Sequence, residues 1–473
     1  MKISKTAAMV AAAGLIVSTA VFPVSADTVT AEPRYTSTPT LFCGDPIGER
    51  VYNYCPSAIY YGDSIYVYFA ANSTEGVVTD SIYLNRLDVD GEIVTYTDKK
   101  LMLSPSEEGW DDVHVCDPSV IGGSFAYNGK SYGYLMAYLG CDRKDNQHNQ
   151  IGLAVSEDLD GEWVKVEEIN PIITAEYDRS LDSSVFQWGA GQPSVVSVDK
   201  KGTVAIFYTR NDNVSTFTMC EVWDLSDIGN PKKMSEFRVS NDGTENGNGK
   251  PETLSNADFA YNCGSGTMYM ITDQHPFNEY PTIIADSSDV YEVEIGDLSN
   301  ISSLSDCTWK KSDTIGYEKT GSLKNHNTGF LRTVGGKLYT NAVLYTSADE
   351  SLWSYRIGIT RFESEGMAST EEDEQQNADI TEAEEPSEPA VEPETTEPAP
   401  DPDEGEITDN NVADLIPPAS DTNKPAAEDQ DTEPDDIMNT GVEDYTGIFI
   451  AIGTIAAALA AVSSLVGLRK ETS

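Results

Sequence analysis

Histidine, cysteine and positive charge are all scarce in this chain, and each scarcity excludes something. Four histidines and seven cysteines occur in 473 residues, with no CxxC pair, which argues against a zinc centre of the usual local ligand spacing. No metal ligand set is read from the sequence, and no cofactor is required by it. The odd cysteine count leaves at least one thiol free or paired between chains. Lys and Arg number 30 against 79 Asp and Glu, a formal charge of −49. Nucleic acid and anionic polymers are therefore excluded as partners. Helical periodicity is almost missing from residues 50–365, and long apolar runs are confined to the two ends.

Those ends read as export and anchoring signals. Lys2 and Lys5 precede the apolar stretch Ala7 to Val21, and Val24-Ser25-Ala26 supplies the small residues of a cleavage site, so residues 1–26 read as a signal peptide. Residues 27–49 are a lead-in. At the other end 447–468 is an uncharged run of 22 residues, long enough as a helix to cross ~30 Å of hydrocarbon. Arg469-Lys470 follows and places 469–473 on the cytoplasmic side. Ile437-Met438-Asn439-Thr440-Gly441, the apolar run and the basic pair together resemble a cell-wall sorting signal of Gram-positive bacteria. That resemblance implies a sortase substrate cut between Thr440 and Gly441. The pentapeptide departs from Leu-Pro-x-Thr-Gly at its first two positions, and a plain membrane anchor through the C-terminal helix is the alternative.

The negative charge is concentrated before that anchor. Residues 366–440 hold 25 Asp or Glu, one Lys, ten Pro and no aromatic residue. With nothing to bury and like charges repelling, this segment is expected to be a disordered, extended stalk. About −26 remains on residues 27–365, a balance that suits neutral or cationic ligands.

Residues 50–365 consist of short β runs with turn signals between them, such as Ile65 to Phe69, Tyr134 to Tyr138, Val204 to Tyr208 and Met268 to Ile271. They are organised by a repeat. Cys55-Pro56-Ser57-Ala58-Ile59 recurs as Asp117-Pro118-Ser119-Val120-Ile121 and as Gln192-Pro193-Ser194-Val195-Val196. Weaker copies are Ala257-Asp258-Phe259-Ala260-Tyr261 and Asn327-Thr328-Gly329-Phe330-Leu331. Intervals of 62, 75, about 66 and about 70 residues each fit four strands with loops. The expected fold is all-β, a five-bladed β-propeller whose first strands line a central axis. At one mouth of that axis the strand starts bring together Cys55, Asp117, Gln192, Asp258 and the neighbourhood of His326.

The Asp117-Pro118-Ser119-Val120-Ile121 copy, Gln150 to Ser156 and Gly161-Glu162-Trp163-Val164 resemble the five-bladed glycoside hydrolases of family 43, β-xylosidases and arabinanases. The resemblance covers roughly residues 50–362. It implies hydrolysis with inversion, for which two carboxyl groups must flank the sugar ~6.5–9.5 Å apart. In that family the base opens the first blade, an Asp tuning the acid opens the second, and a Glu acid opens the third. Those slots fall on Cys55, Asp117 and Gln192, so only Asp117 matches. Replacement carboxylates are Asp258, Glu221, Asp142, Asp212 and Glu49. The catalytic candidates are thus Asp117, Asp258 and Glu221. The substrate-binding candidates are Cys55, Gln192, His114 and His326, with Tyr54, Trp110 and Trp188 as stacking platforms for sugar rings. The family often holds Ca²⁺ beside a fifth-blade His, which His326 matches, although no dense carboxylate loop demands it.

Three functions follow. A surface glycoside hydrolase acting on polysaccharide or oligosaccharide ranks first. A non-catalytic carbohydrate-binding protein of the same fold is next, because the base and acid slots are wrong. An adhesin or scaffold propeller is third.

Overall fold

The computed structural model describes residues 52–71, 79–90, 93–96, 99–181, 185–211, 215–278, 284–348 and 355–364. The signal peptide, the stalk, the sorting pentapeptide and the apolar run 447–468 lie outside the described residues. Among those described, no helix is long and apolar enough to cross a membrane.

Among the described residues twenty strands form five antiparallel groups in chain order. The first is β1 (Asn53–Tyr61), β2 (Ser64–Ala71), β3 (Ser81–Asp90), β4 (Ile93–Tyr96) and β5 (Lys100–Leu103). The second is β6 (His114–Tyr127), β7 (Lys130–Cys141), β8 (Gln150–Ser156) and β9 (Val164–Lys165). The third is β10 (Gly189–Ser197), β11 (Thr203–Asn211), β12 (Thr216–Asp224) and β13 (Lys232–Arg238). The fourth is β14 (Asp258–Asn262), β15 (Thr267–Asp273), β16 (Ser288–Glu294) and β17 (Lys310–Ile315). The fifth is β18 (Lys324–Thr333), β19 (Leu338–Ala348) and β20 (Arg356–Arg361). Tight turns set the hairpins: Gly62-Asp63 and Asn128-Gly129 all have positive φ, the geometry whose twist matches the strands it joins.

The groups pack side by side around a ring. Within β2, Ile65, Val67 and Phe69 are buried against Leu331 and Leu344 of the fifth group. Tyr68, of opposite parity, is buried against Val120 and Met136 of the second. Successive side chains of a strand point to opposite faces, so one strand serves two neighbours and reads as a continuous apolar run. The same holds at the remaining seams. Ile121 and Leu135 meet Val195 and Ile206; Val196 and Phe207 meet Phe259 and Met268; Ala260 and Tyr269 meet Phe330 and Val343. Five apolar seams close an all-β arrangement of curled sheets consistent with a propeller.

At the axis the inner strands β1, β6, β10, β14 and β18 splay apart, and side chains replace the missing ladder. Ser57 Oγ accepts from Val120 N at 3.4 Å, Ser119 Oγ from Val195 N at 3.1 Å and Ser194 Oγ from Phe259 N at 3.0 Å. Asp258 Oδ2 takes the serine's place and accepts from Phe330 N at 2.8 Å. At the fifth junction β18 pairs β1 directly and in parallel, Ala58 opposite Leu331. The residue there is Gly329, where a Cβ would stand 2.6 Å from the Pro56 carbonyl oxygen. That close approach is why glycine ends the series.

Arg332 fills the centre. Its Nη1 donates to the Val195 and Phe259 carbonyls at 3.1 and 3.4 Å, and its Nη2 to Ser57 and Ser119 Oγ at 3.2 and 3.1 Å. Asp258 lies 3.4 Å away and balances its charge. One side chain thus ties β18 to all four other inner strands. Arg332→Ala leaves those acceptors and the Asp258 charge unpaired, and is expected to cost about 3–5 kcal/mol. Urea unfolding of the folded domain measures this; a loss below about 1 kcal/mol would refute the role.

Candidate functional site at the axial mouth

Each inner strand carries the same backbone device two residues before the serine position. Cys55, Asp117, Gln192, Asn256 and Asn327 all have φ between 46° and 54°, the left-handed region in which a side chain other than glycine costs about 1–2 kcal/mol. In four of the strands the ladder register shifts there, between Tyr54 and Ser57, Cys116 and Ser119, Gly191 and Ser194, and His326 and Gly329. Such bulges re-aim a side chain, and here they aim four of them toward one mouth, where Asn256, just ahead of β14, joins them.

This register moves the fourth repeat by one residue, keeps the fifth copy at Asn327 as read from the sequence, and changes which residue faces the mouth in both. The fourth copy begins at Asn256, so Asp258 occupies the serine position and is committed to Ser194, Phe330 and Arg332. In the fifth copy the mouth position belongs to Asn327, not His326. Asparagine is enriched at positive φ, and that preference was the overlooked signal.

The five residues form a linked ring. Gln192 Oε1 accepts from Asn256 N at 3.1 Å, and Asn256 Oδ1 accepts from Asn327 Nδ2 at 2.9 Å. Asn327 Nδ2 also reaches Cys55 Sγ at 3.7 Å, and the Cys55 thiol lies against Asp117. A narrow axial pocket is lined by Cys55, Gln192, Asn256 and Asn327 of the ring together with Asp258 and Arg332.

Asp117 is the anomaly. It is 1% exposed, and no N–H or O–H donor reaches either carboxylate oxygen. Burial pushes its carboxyl up to about 7, against the opposing pull of the Cys55 thiol and His114. His114 is fully buried on the same strand; burial lowers it, but Asp80 and Cys141 outweigh that and push it up to about 10. Tyr54 donates to Asp80 Oδ2 at 2.6 Å. None of the six described cysteines forms a disulfide, Cys55 and Cys116 included.

Across the ring, His326 Nδ1 lies 2.7 Å from Asp273 Oδ2, which also accepts from Asn256 Nδ2 at 2.7 Å. His326 Nε2 is buried without a partner. One imidazole nitrogen beside a carboxylate already engaged is not the shell of 6–8 oxygens that Ca²⁺ takes, and no role for Ca²⁺ is derived.

The structure therefore brings Cys55, Asp117 and Gln192 to equivalent positions of the ring, with His114 and His326 fully buried beside it. It does not gather Glu221, which sits on β12 and is held by Tyr208, Trp223 and Lys233 at 3.0 Å each. Trp110 packs on the second group, where a Cβ on Gly140 or Gly152 would collide with its ring. Trp188 and Tyr54 are fully buried, so neither offers a ring face to a sugar. Asp142 pairs with His148 at 3.0 Å; Asp212 and Glu49 lie outside the described residues. Asp80, Asp273, Asn256, Asn327 and Arg332 are the site residues that motif reading missed.

No family model matches the chain, and no curated protein matches it in sequence. Among solved structures it is similar to a family 117 glycoside hydrolase of the marine bacterium Zobellia galactanivorans, at 12% identity and TM-score 0.45, over 68% of this chain and 88% of that one. It is also similar to a thermostable family-43 glycoside hydrolase, at 16% identity and TM-score 0.41, over 69% and 98%. A third is the α-L-arabinofuranosidase of Podospora anserina in complex with cellotriose, at 9% identity and TM-score 0.44, over 69% and 96%. Likeness at this level assigns no activity to this chain.

A buried carboxylate without donors is kept at the expense of stability. Asp117→Asn is accordingly expected to leave the domain as stable or to raise it by about 1 kcal/mol in urea unfolding at neutral pH. A loss above about 2 kcal/mol would make Asp117 a structural residue.

Proposed function

We propose that this chain is exported, held at a cell surface by its C-terminal segment, and binds a neutral glycan at the axial mouth without hydrolysing it. The observation that carries this reading is the composition of the ring. Of its five equivalent positions only Asp117 is a carboxylate, and the others are Gln192, Asn256, Asn327 and Cys55. Amides donate and accept at once, which suits sugar hydroxyls, whereas hydrolysis with inversion needs a second carboxyl group across the sugar. The acidic balance of residues 27–365 favours an uncharged polymer over an anionic one.

A glycosidase is the second reading. Asp80 and Asp273 are buried on either side of the ring, and a carboxyl raised to about 7, as in Asp117, suits proton donation.

The test is a screen of residues 27–440 on neutral arabino- and xylo-oligosaccharides, by calorimetry and by product release. Binding without products is expected, with Asn327→Ala or Gln192→Ala weakening it about tenfold, the loss of one or two hydrogen bonds. Turnover abolished by Asp117→Asn would establish the glycosidase instead. Absence of both would remove the glycan reading.

A further inference from the structure

We propose that the inner end of the second group is a binding site for a borderline-soft divalent cation of the Zn²⁺ class, held by Asp80, His114 and Cys116. The site is independent of the glycan reading. His114 and Cys116 are two residues apart on β6, so their side chains leave the strand on one face. Asp80, from the segment entering β3, meets them there. One ligand atom from each lies within 4.8 Å of the other two, and all three residues are buried.

The spacing fits an ion better than a hydrogen bond. His114 Nδ1 stands 3.7 Å from Asp80 Oδ2, beyond hydrogen-bond range. Two ligands on a tetrahedral centre with bonds of ~2.0–2.3 Å are separated by roughly 3.3–3.7 Å. Neither nitrogen of the buried His114 ring has a hydrogen-bond partner, an unusual state for a buried imidazole. Tyr54 O–H donates to Asp80 Oδ2 at 2.6 Å, the kind of outer contact that fixes a ligating carboxylate.

Sulfur and imidazole ligands select this class of metal over Ca²⁺ or Mg²⁺. Three protein ligands leave one coordination position for solvent or another group. Binding releases the protons that Cys116 and His114 otherwise carry. The ligands come from positions 80, 114 and 116, a spacing that matches no linear zinc motif, which is why the low cysteine and histidine counts pointed the other way.

The test is titration of the chelator-treated full chain with Co²⁺, followed by Zn²⁺. One equivalent of Co²⁺ should bind with a thiolate-to-metal charge-transfer band, and Zn²⁺ should bleach it. Cys116→Ser should lose the band and bind Zn²⁺ at least tenfold more weakly, while Cys220→Ser, altering a buried cysteine of the third group, should keep both. Circular dichroism reports whether Cys116→Ser folds; His114→Gln provides the same comparison if it does not. Substoichiometric binding, a band that survives Cys116→Ser, or Ca²⁺ displacing Co²⁺ would overturn the proposal.

Discussion

Five strands that diverge from a common axis cannot satisfy one another's backbone, and the rest of this molecule depends on how that deficit is met. Buried N–H groups must find acceptors. Here a hydroxyl or carboxylate on four of the inner strands accepts from the next strand round, from Ser57 to Val120 through to Asp258 and Phe330, and β18 closes the series by pairing β1 directly. Arg332 then binds the inward-facing oxygens of four strands at once. Apolar seams supply most of the burial between the groups, but they are non-directional. The axial hydrogen bonds are what fix the mutual register of the five strands.

That register in turn makes the mouth. Because the serine position is pinned, the residue two places earlier is forced into the left-handed region at every repeat. The strain is spent on direction, as it turns five side chains toward one point. A ring of amides, a thiol and one carboxyl group results. Asp117, buried with no partner on either carboxylate oxygen, adjoins the Asp80, His114 and Cys116 cluster, so the ring and the cluster share neighbouring atoms.

The Pro-Ser copies were legible because the serine hydroxyl has a fixed duty in three of the five strands. Where the duty changes, the motif disappears. Asp258 must also balance Arg332, and Gly329 must clear the Pro56 carbonyl, so copy four reads one residue out of register and copy five, although in register, keeps no proline or serine to mark it. The aromatic candidates misled for a related reason. Tyr54 and Trp188 precede the bulges, but they are turned into a shared apolar cluster with Leu139 and Tyr355. Glu221 is on the right group and the wrong strand. Contacts between distant segments, such as Asp80 with His114, leave no spacing to recognise. The segments expected from the sequence to direct export and anchoring fall outside the described residues.

The parallel pairing of β18 with β1 has a mechanical meaning. It clasps the last group to the first at the axis, yet the described chain continues past it to the perimeter strand β20. Beyond β20, Glu363 N donates to Asp313 and Ser364 bonds Glu292 and Tyr269, all on the fourth group. A pull transmitted through the chain after Ser364 therefore enters at the outer seam between two groups. It would peel peripheral bonds one at a time and reach the axial clasp last, so the part of the molecule that shapes the mouth is the last to feel a force entering from that side.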